Sequence, residues 1–219
     1  MKNFMPIIKN SRLFGGVSEN EISDMLQCLS ASVRSYEKGD AIFRAGDHIT
    51  SLAMLLSGAV HIQKEDYWGN LSILSEVSPG NIFGEVYACL KSEPMAYNAA
   101  AVRDSTVLFL DIHKVLTSCG SACPFHAQLI QNLLSEIAEK NRTLTVKMTH
   151  LSQRTTREKL LSYLSEQSQK VGSPSFDIPF TRQQLADYLS VDRSAMSSEL
   201  GKMQADGLIE FNRSHFVLK

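Results

Sequence analysis

The chain has 219 residues, 43% of them hydrophobic and 21% charged, a length that exceeds the usual single domain and predicts two domains with ordinary packed cores. Twenty-two Lys and Arg against 23 Asp and Glu give a formal net charge of -1, which excludes any global electrostatic attraction for polyanions and leaves such binding to local clusters. No apolar run reaches the ~18 residues of a membrane span and Met1-Lys-Asn-Phe-Met-Pro6 leads into no signal-peptide core, so a cytoplasmic protein with no membrane partner is expected.

Ser18-Glu-Asn-Glu21 has the form of a capping box and predicts a helix through Leu29. From Tyr36 onward, short β-prone runs alternate with turn residues: Ala41–Phe43, Leu52–Leu56, Val60–Ile62, Leu71–Leu74, Ile82-Phe83, Ala99–Val102 and Val107–Leu110. Gly46, Gly58, Gly69 and Gly80 fall 12, 11 and 11 residues apart, the rhythm of turns in an antiparallel roll. Asp104 and Asp111 read as strand-end turn residues, and Gly84-Glu85 follows the last of the regular glycines. A nucleophile elbow, a phosphate loop and a convergent acid pair are all missing, so no catalytic residue is assigned and a non-enzyme is expected.

Cys28, Cys89, Cys119 and Cys123 are too scattered for a disulfide framework, which fits a reducing compartment. Cys119, Cys123 and His126 have a spacing that could present two thiolates and an imidazole to a metal. They read more readily as small residues at a helix mouth broken by Pro124. A structural zinc site takes four ligands and no second pair is evident, so no metal is assigned.

Between Phe125 and about Gln153 neither Gly nor Pro interrupts the chain. Ile130, Leu134, Ile137, Asn141, Leu144, Met148 and Leu151 are spaced 4, 3, 4, 3, 4 and 3 residues apart, a heptad seam with Asn141 at an a position. The pattern predicts a parallel homodimer helix, against the alternative of a wider stripe packed within its own domain.

Thr181 and Gln184 have the T-x-x-Q form of a capping box, and Leu185, Ala186 and Leu189 give the helix they open an apolar face. Ser190-Val191 turns the chain, and Asp192 is a good N-cap for a second helix burying Ala195, Met196, Leu200 and Met203. Arg193, Ser194, Ser197 and Ser198 are left outward near its N-terminus, small or cationic side chains able to enter a major groove. Phe176, Ile178 and Phe180 upstream read as a strand. Downstream, Leu208–Phe211 and Phe216–Leu218 around Asn212-Arg-Ser-His215 read as a hairpin, completing a winged helix-turn-helix. Affinity for DNA would come from locally placed cations, Arg154, Arg157, Lys159, Arg182, Arg193, Lys202 and Arg213, with Thr181, Arg182, Gln183 and Arg213 joining the four outward residues as DNA-contact candidates.

The order of parts, and the runs Lys38–Asp47, Ser57-Gly58, Pro79–Glu85, Ala101–Val107, Arg157–Leu160 and Thr181–Leu185, resemble the family of the cyclic-AMP receptor protein and the fumarate-nitrate reduction regulator (Crp/Fnr) over nearly the full length. The resemblance implies an α+β fold: an antiparallel, cyclic-nucleotide-binding-like β-roll with N-terminal helices over 1–118, a dimerisation helix over 119–153 and a winged helix-turn-helix over 154–219. It further implies a transcription regulator whose roll senses a small signal and whose homodimer sets two recognition helices on a palindromic promoter site, with RNA polymerase as a further partner.

Gly84 and Glu85 match the start of the family's phosphate cassette, but the Arg-Ser pair expected eleven residues after Gly84 is Met95-Ala96 here. A buried phosphate would lack its guanidinium partner, which argues against a cyclic nucleotide. Val86, Met95, Ala96 and Tyr97, with Tyr87 and Ala99, offer apolar surface and phenols suited to an uncharged or weakly polar molecule. Asn141, Arg142 and Thr143 stand on the long helix where the cyclic-AMP regulator reaches the base, and Arg142 could supply a cation to an anionic ligand. The clustered N-terminal cysteines of an iron-sulfur sensor are missing, and His48, His61 and His113 read as ordinary surface or strand histidines, so no cofactor is assigned. In the recognition helix Arg193 matches a family DNA contact, while Ser194 replaces a common glutamate and Ser198 an arginine that often contacts guanine. The leading expectation is a ligand-responsive homodimeric DNA-binding regulator, and the alternative is a constitutive DNA-binding dimer with a vestigial, ligand-free roll.

Overall fold

The computed structural model describes residues 2–69, 71–90, 92–117 and 124–219. The chain forms two compact units, Met1–Ile137 and Ala138–Lys219.

The first unit is built on a six-stranded antiparallel sheet of β1 (Ser32–Tyr36), β2 (Ala41–Phe43), β3 (Ser51–Glu65), β4 (Leu71–Val77), β5 (Ile82–Phe83) and β6 (Asn98–Asp111). Strands β1, β6, β3 and β4 lie side by side in that order, β2 adds to β6 and β5 to β3. The runs that the sequence separates at Gly58 and at Asp104 are in fact single strands, β3 and β6, paired along most of their length. Gly58 is not a turn: it sits at φ +95° within a stretch of register shifts, where a Cβ would lie 2.1 Å from Ser105 Oγ and 2.6 Å from the Asp104 carbonyl. The glycine therefore serves a β-bulge and a close backbone approach. Asp104, inside β6, accepts a hydrogen bond from the Lys38 N–H at 3.1 Å. Asp111 does end its strand, and caps α4 (Ile112–Leu116) by accepting from His113 N at 2.9 Å.

The Ser18–Glu21 capping box is present, with the Ser18 N–H donating to Glu21 at 2.7 Å, and it opens α2 (Glu19–Cys28) after the short α1 (Met5–Asn10). Ile22, Met25 and Leu26 of α2 bury against Leu52, Met54 and Leu56 of β3 and against Leu129 and Leu133 of the long α5 (Pro124–Leu151). Asn132 Nδ2 fastens that helix to the N-terminal segment by donating to the Leu13 and Gly15 carbonyls at 2.9 and 2.8 Å. A second core lies on the other side of the sheet, where Phe43 meets Phe83 and Phe109 edge-on at 5.8 Å between centroids. Cys119 and Cys123 lie outside the described residues. His126 is buried and donates Nε2–H to the Lys114 carbonyl at 2.8 Å, the bond of a structural histidine.

In the second unit, Thr155–Glu158 and Thr181–Gln184 form complete capping boxes for α6 (Thr156–Val171) and α7 (Arg182–Leu189). Ser190, at φ +50°, and Val191 make the turn to α8 (Arg193–Ala205), whose N-cap Asp192 accepts from Ala195 N at 2.8 Å. A three-stranded sheet of β7 (Ser175–Asp177), β9 (His215–Leu218) and β8 (Ile209–Asn212) completes the wing. The strand expected through Phe180 stops at Asp177, with Ile178 and Phe180 packing as irregular chain. Leu160, Tyr163, Leu185, Leu189, Met196, Leu200 and Phe216 share one core.

At the C-terminal end of α5, His150 is 2% exposed, with Nδ1 2.8 Å from Ser162 Oγ and its ring 5.8 Å from Tyr163 and 6.3 Å from Tyr188. Its Nε2 and the Tyr163 hydroxyl are buried without a hydrogen-bond partner among the described residues.

Candidate nucleic-acid interface and sensor site

Four residues at the start of α8, Arg193, Ser194, Ser197 and Ser198, are exposed together, while Met196, Leu200 and Met203 occupy the buried face. Ala195, expected inside, is exposed, because it leaves the first turn of the helix on the solvent side. Ser194 Oγ donates to Asp192 at 2.5 Å and Ser197 Oγ to the Arg193 carbonyl at 2.9 Å, so both hydroxyls are oriented by the helix itself. The Ser194 hydroxyl and backbone N–H groups hold the Asp192 carboxyl below its usual range. Arg213 is exposed in the two-residue turn between β8 and β9, at φ +52°. Thr181 is exposed as the α7 cap, and Gln183, also exposed, donates to Asp187 at 2.8 Å.

Other cations that the sequence pools into DNA affinity have internal partners. Arg157 reaches two carboxylates of the α8 region, Glu199 at 2.5 Å and Asp206 at 2.7 Å, and Lys159 donates to the Leu189 carbonyl at the end of α7 at 3.2 Å. These two are struts between α6 and its neighbours. Their role was hidden in the sequence because the acceptors lie 30 or more residues away. Arg182 is half-buried, its guanidinium carbon 4.9 Å from the Phe211 ring centroid and 5.0 Å from that of Phe216.

In the first unit, Gly84 holds φ +76° where a Cβ would lie 2.8 Å from the Phe43 ring, and this compact turn delivers Glu85 to the start of α3 (Glu85–Leu90), with its side chain only 5% exposed. Tyr87 and Tyr97 meet edge-on at 5.2 Å between centroids, and burial, followed by the hydrogen bond between their hydroxyls, pushes the Tyr97 phenol well up. Burial, and then the Glu85 charge, push the Cys89 thiol up as well. Glu85, Tyr87 and Tyr97 thus come together. Met95 lies in the core with Phe43 and Phe83 on which Tyr87 and Tyr97 also pack, while Ala96 and Val86 face solvent. Asn141, Arg142 and Thr143 are exposed residues of the second unit. Arg142 donates to the Glu139 carboxylate of its own helix at 2.9 and 2.7 Å, an exposed pair one turn apart.

Along α5, Leu134, Leu144 and Met148 of the heptad seam are 61%, 62% and 68% exposed. Asn141 is exposed, whereas Ile130, Ile137 and Leu151 are half-buried and Ile137 packs on the core of its own unit. The seam is therefore partly intramolecular at Ile137, as the wider-stripe alternative would have it, and open at its other apolar positions.

Residues 33–120 match the cyclic nucleotide-binding domain family, and residues 158–219 match the Crp-like helix-turn-helix domain family. The cyclic AMP receptor protein of Thermus thermophilus is 26% identical over 202 residues, covering 92% of this chain and 89% of that one. Electron transport regulator A of Shewanella oneidensis is 22% identical over 207 residues, 92% of this chain and 80% of its own. Among solved structures, the Thermus thermophilus catabolite activator protein superposes with a TM-score of 0.52 at 22% identity, covering 95% of this chain and 94% of that one. The CLP regulator of Xanthomonas campestris gives 0.55 at 19% identity, over 92% and 99%. A roll of the cyclic-nucleotide-binding kind joined to a winged helix defines a DNA-binding transcription regulator. The chain belongs to the Crp/Fnr family of transcriptional regulators. Its relatives of that family are regulators, not enzymes, and among the described residues no helix is long and apolar enough to cross a membrane.

Proposed function

We propose that the protein acts as a homodimer on a palindromic promoter site, in concert with RNA polymerase, and that its roll responds to an uncharged or weakly polar small molecule instead of a cyclic nucleotide. The carrying observation is Met95: the position that would hold a phosphate-binding arginine is an apolar side chain 3% exposed in the aromatic core. A phosphate placed beside it would be desolvated without a cation. Two phenols and a buried carboxylate instead present hydrogen-bonding groups on an apolar floor, the mixture typical of small-molecule sites. Dimerisation is supported by the apolar positions Leu134, Leu144 and Met148 left open along one helix.

A ligand that binds only the folded state must raise its apparent stability, so cyclic AMP and cyclic GMP at millimolar concentration are expected to leave the melting temperature and DNA affinity unchanged. A rise of several degrees with either nucleotide, lost in Glu85→Ala, would overturn this reading. One observation favours a second reading, a constitutive dimer with a silent roll: the Tyr87 and Tyr97 hydroxyls already satisfy each other. Following DNA affinity during titration with small uncharged metabolites separates the two.

A further inference from the structure

Arg182 is an odd residue for its place. It is the first residue of α7, where a cation opposes the helix dipole and gains nothing from it. Its guanidinium makes no ion pair with a carboxylate among the described residues; burial alone accounts for its lowered pKa. What it touches instead is the wing: Phe211 on β8 at 4.9 Å and Phe216 on β9 at 5.0 Å, each measured to the ring centroid. These rings lie nearly parallel to each other at 5.8 Å and 28°, and Phe216 stacks on Phe176 of β7 at 6.4 Å and 17°. One planar cation thus covers both stems of the hairpin whose turn is Asn212-Arg213-Ser214-His215. A flat guanidinium stacks on aromatic faces in a way an ammonium does not.

We propose that Arg182 is a positioning residue for DNA binding: it clasps the wing hairpin to the N-terminus of α7 and so holds Arg213 where it reaches the phosphate backbone, and it is not itself a phosphate contact. The inference rests on the reading of Arg213 as a backbone contact and replaces the direct DNA role that the sequence suggests for Arg182. The base of the hairpin is already fixed by β7 and by Ile209 and Phe216 in the core, so what the clasp adds is the placement of the exposed turn.

The test measures DNA affinity and its salt dependence for Arg182→Ala, Arg182→Met, Arg182→Lys, Arg213→Ala and the double alanine variant, with thermal unfolding of each. Arg182→Ala and Arg213→Ala should each weaken binding by at least about tenfold and lower the salt slope by about two, as loss of one phosphate contact in each chain of the dimer does. The double variant should be no more than about threefold worse than either single, since residues acting through one another are non-additive. Arg182→Met, which keeps a long apolar cover without charge, should stay within about threefold of wild type with an unchanged slope, and Arg182→Lys should fall below it. Rescue by Lys but not by Met, or additive alanine effects, would overturn the clasp while leaving the Arg213 contact standing. An Arg213→Ala variant with wild-type affinity and slope would overturn the contact and the clasp together.

Discussion

Arg193 follows the cap residue Asp192, so its side chain leaves α8 from the exposed first turn beside three serines too short to compete for the same groove depth. It is the one long cationic side chain on that part of the recognition face, and it is expected to read a base edge, with guanine the natural bidentate partner. Arg193→Ala should cost about 1 to 3 kcal/mol on the specific site and relax preference at one position per half-site. Equal losses on specific and random DNA, measured by competition, would reduce it to a phosphate contact. His150 carries a second prediction. Burial holds its imidazole below the usual range, with Glu166 of α6 pulling weakly the other way. The groups around it are Ser162, Tyr163 and Glu166 of α6, Tyr188 of α7, and Lys147 of its own helix, whose ammonium rests 5.2 Å over the Tyr188 ring. The unfolded chain takes up the proton first, so stability is intact above the unfolded value of about 6.5 and is lost as pH falls from there through the lower folded value. Urea unfolding at pH 7.5 and pH 5 should show this loss in the wild type and a reduced one in His150→Phe. An equal pH dependence in both would assign the effect to other groups. Capping residues such as Thr181 and Asp192 were legible in the sequence because their partners lie three residues away. His150 was not, because nothing local marks a histidine whose neighbours come from three helices.

At the scale of elements, α5 shows how far periodicity reaches. The 3.5-residue pattern located the helix and its apolar row, but it could not divide that row between the protein's own core and a partner, and Ile137 falls to the former. Leu144 and Met148 are the cleaner probes, since they are already exposed in the single chain. Replacing both by Asp should leave the folded monomer intact while placing like charges across the seam of a dimer. Sedimentation should then show the monomer mass, with DNA binding weakened in parallel. A variant that stays dimeric would put the interface elsewhere. The strands were harder. Alternation found every segment of the roll except β1 and the short helices, yet it cut β3 and β6 in two. A positive-φ glycine inside a bulge and one in a turn look alike in sequence, and only the 2.1 Å approach of Ser105 distinguishes them.

For the whole molecule, a net charge of -1 means that DNA is held by a few placed cations against a neutral background. With Arg157 and Lys159 engaged internally and Lys202 3.7 Å from Glu199, the outward set narrows to residues such as Arg154, Arg193 and Arg213 in each chain. The logarithm of affinity should consequently fall with the logarithm of salt at a moderate slope, near that of a handful of contacts per chain. Sites selected from random DNA should be palindromes whose half-sites lie about one helical turn, ~10 base pairs, apart. Selection of a single unrepeated half-site would contradict the two-fold arrangement. The order of parts was readable end to end from caps, turns and heptads. That Met95 turns into the core on which Tyr87 and Tyr97 pack was not readable, because it depends on how the roll folds over Gly84.

The ladder of β3 with β6 joins residues 51–63 to residues 98–111, and the stretch between them, which carries Glu85 and Tyr87, is tied back to β3 by β4 and β5. Closing a loop costs free energy that grows only with the logarithm of its length. Length can therefore change at small thermodynamic cost in the exposed turn that follows Glu65, while β4, β5 and the buried Phe83 and Met95 fix the rest of the stretch to the sheet. The register of the roll is in this way set by one ladder, and variation in length falls to the turns that the ladder leaves outside it.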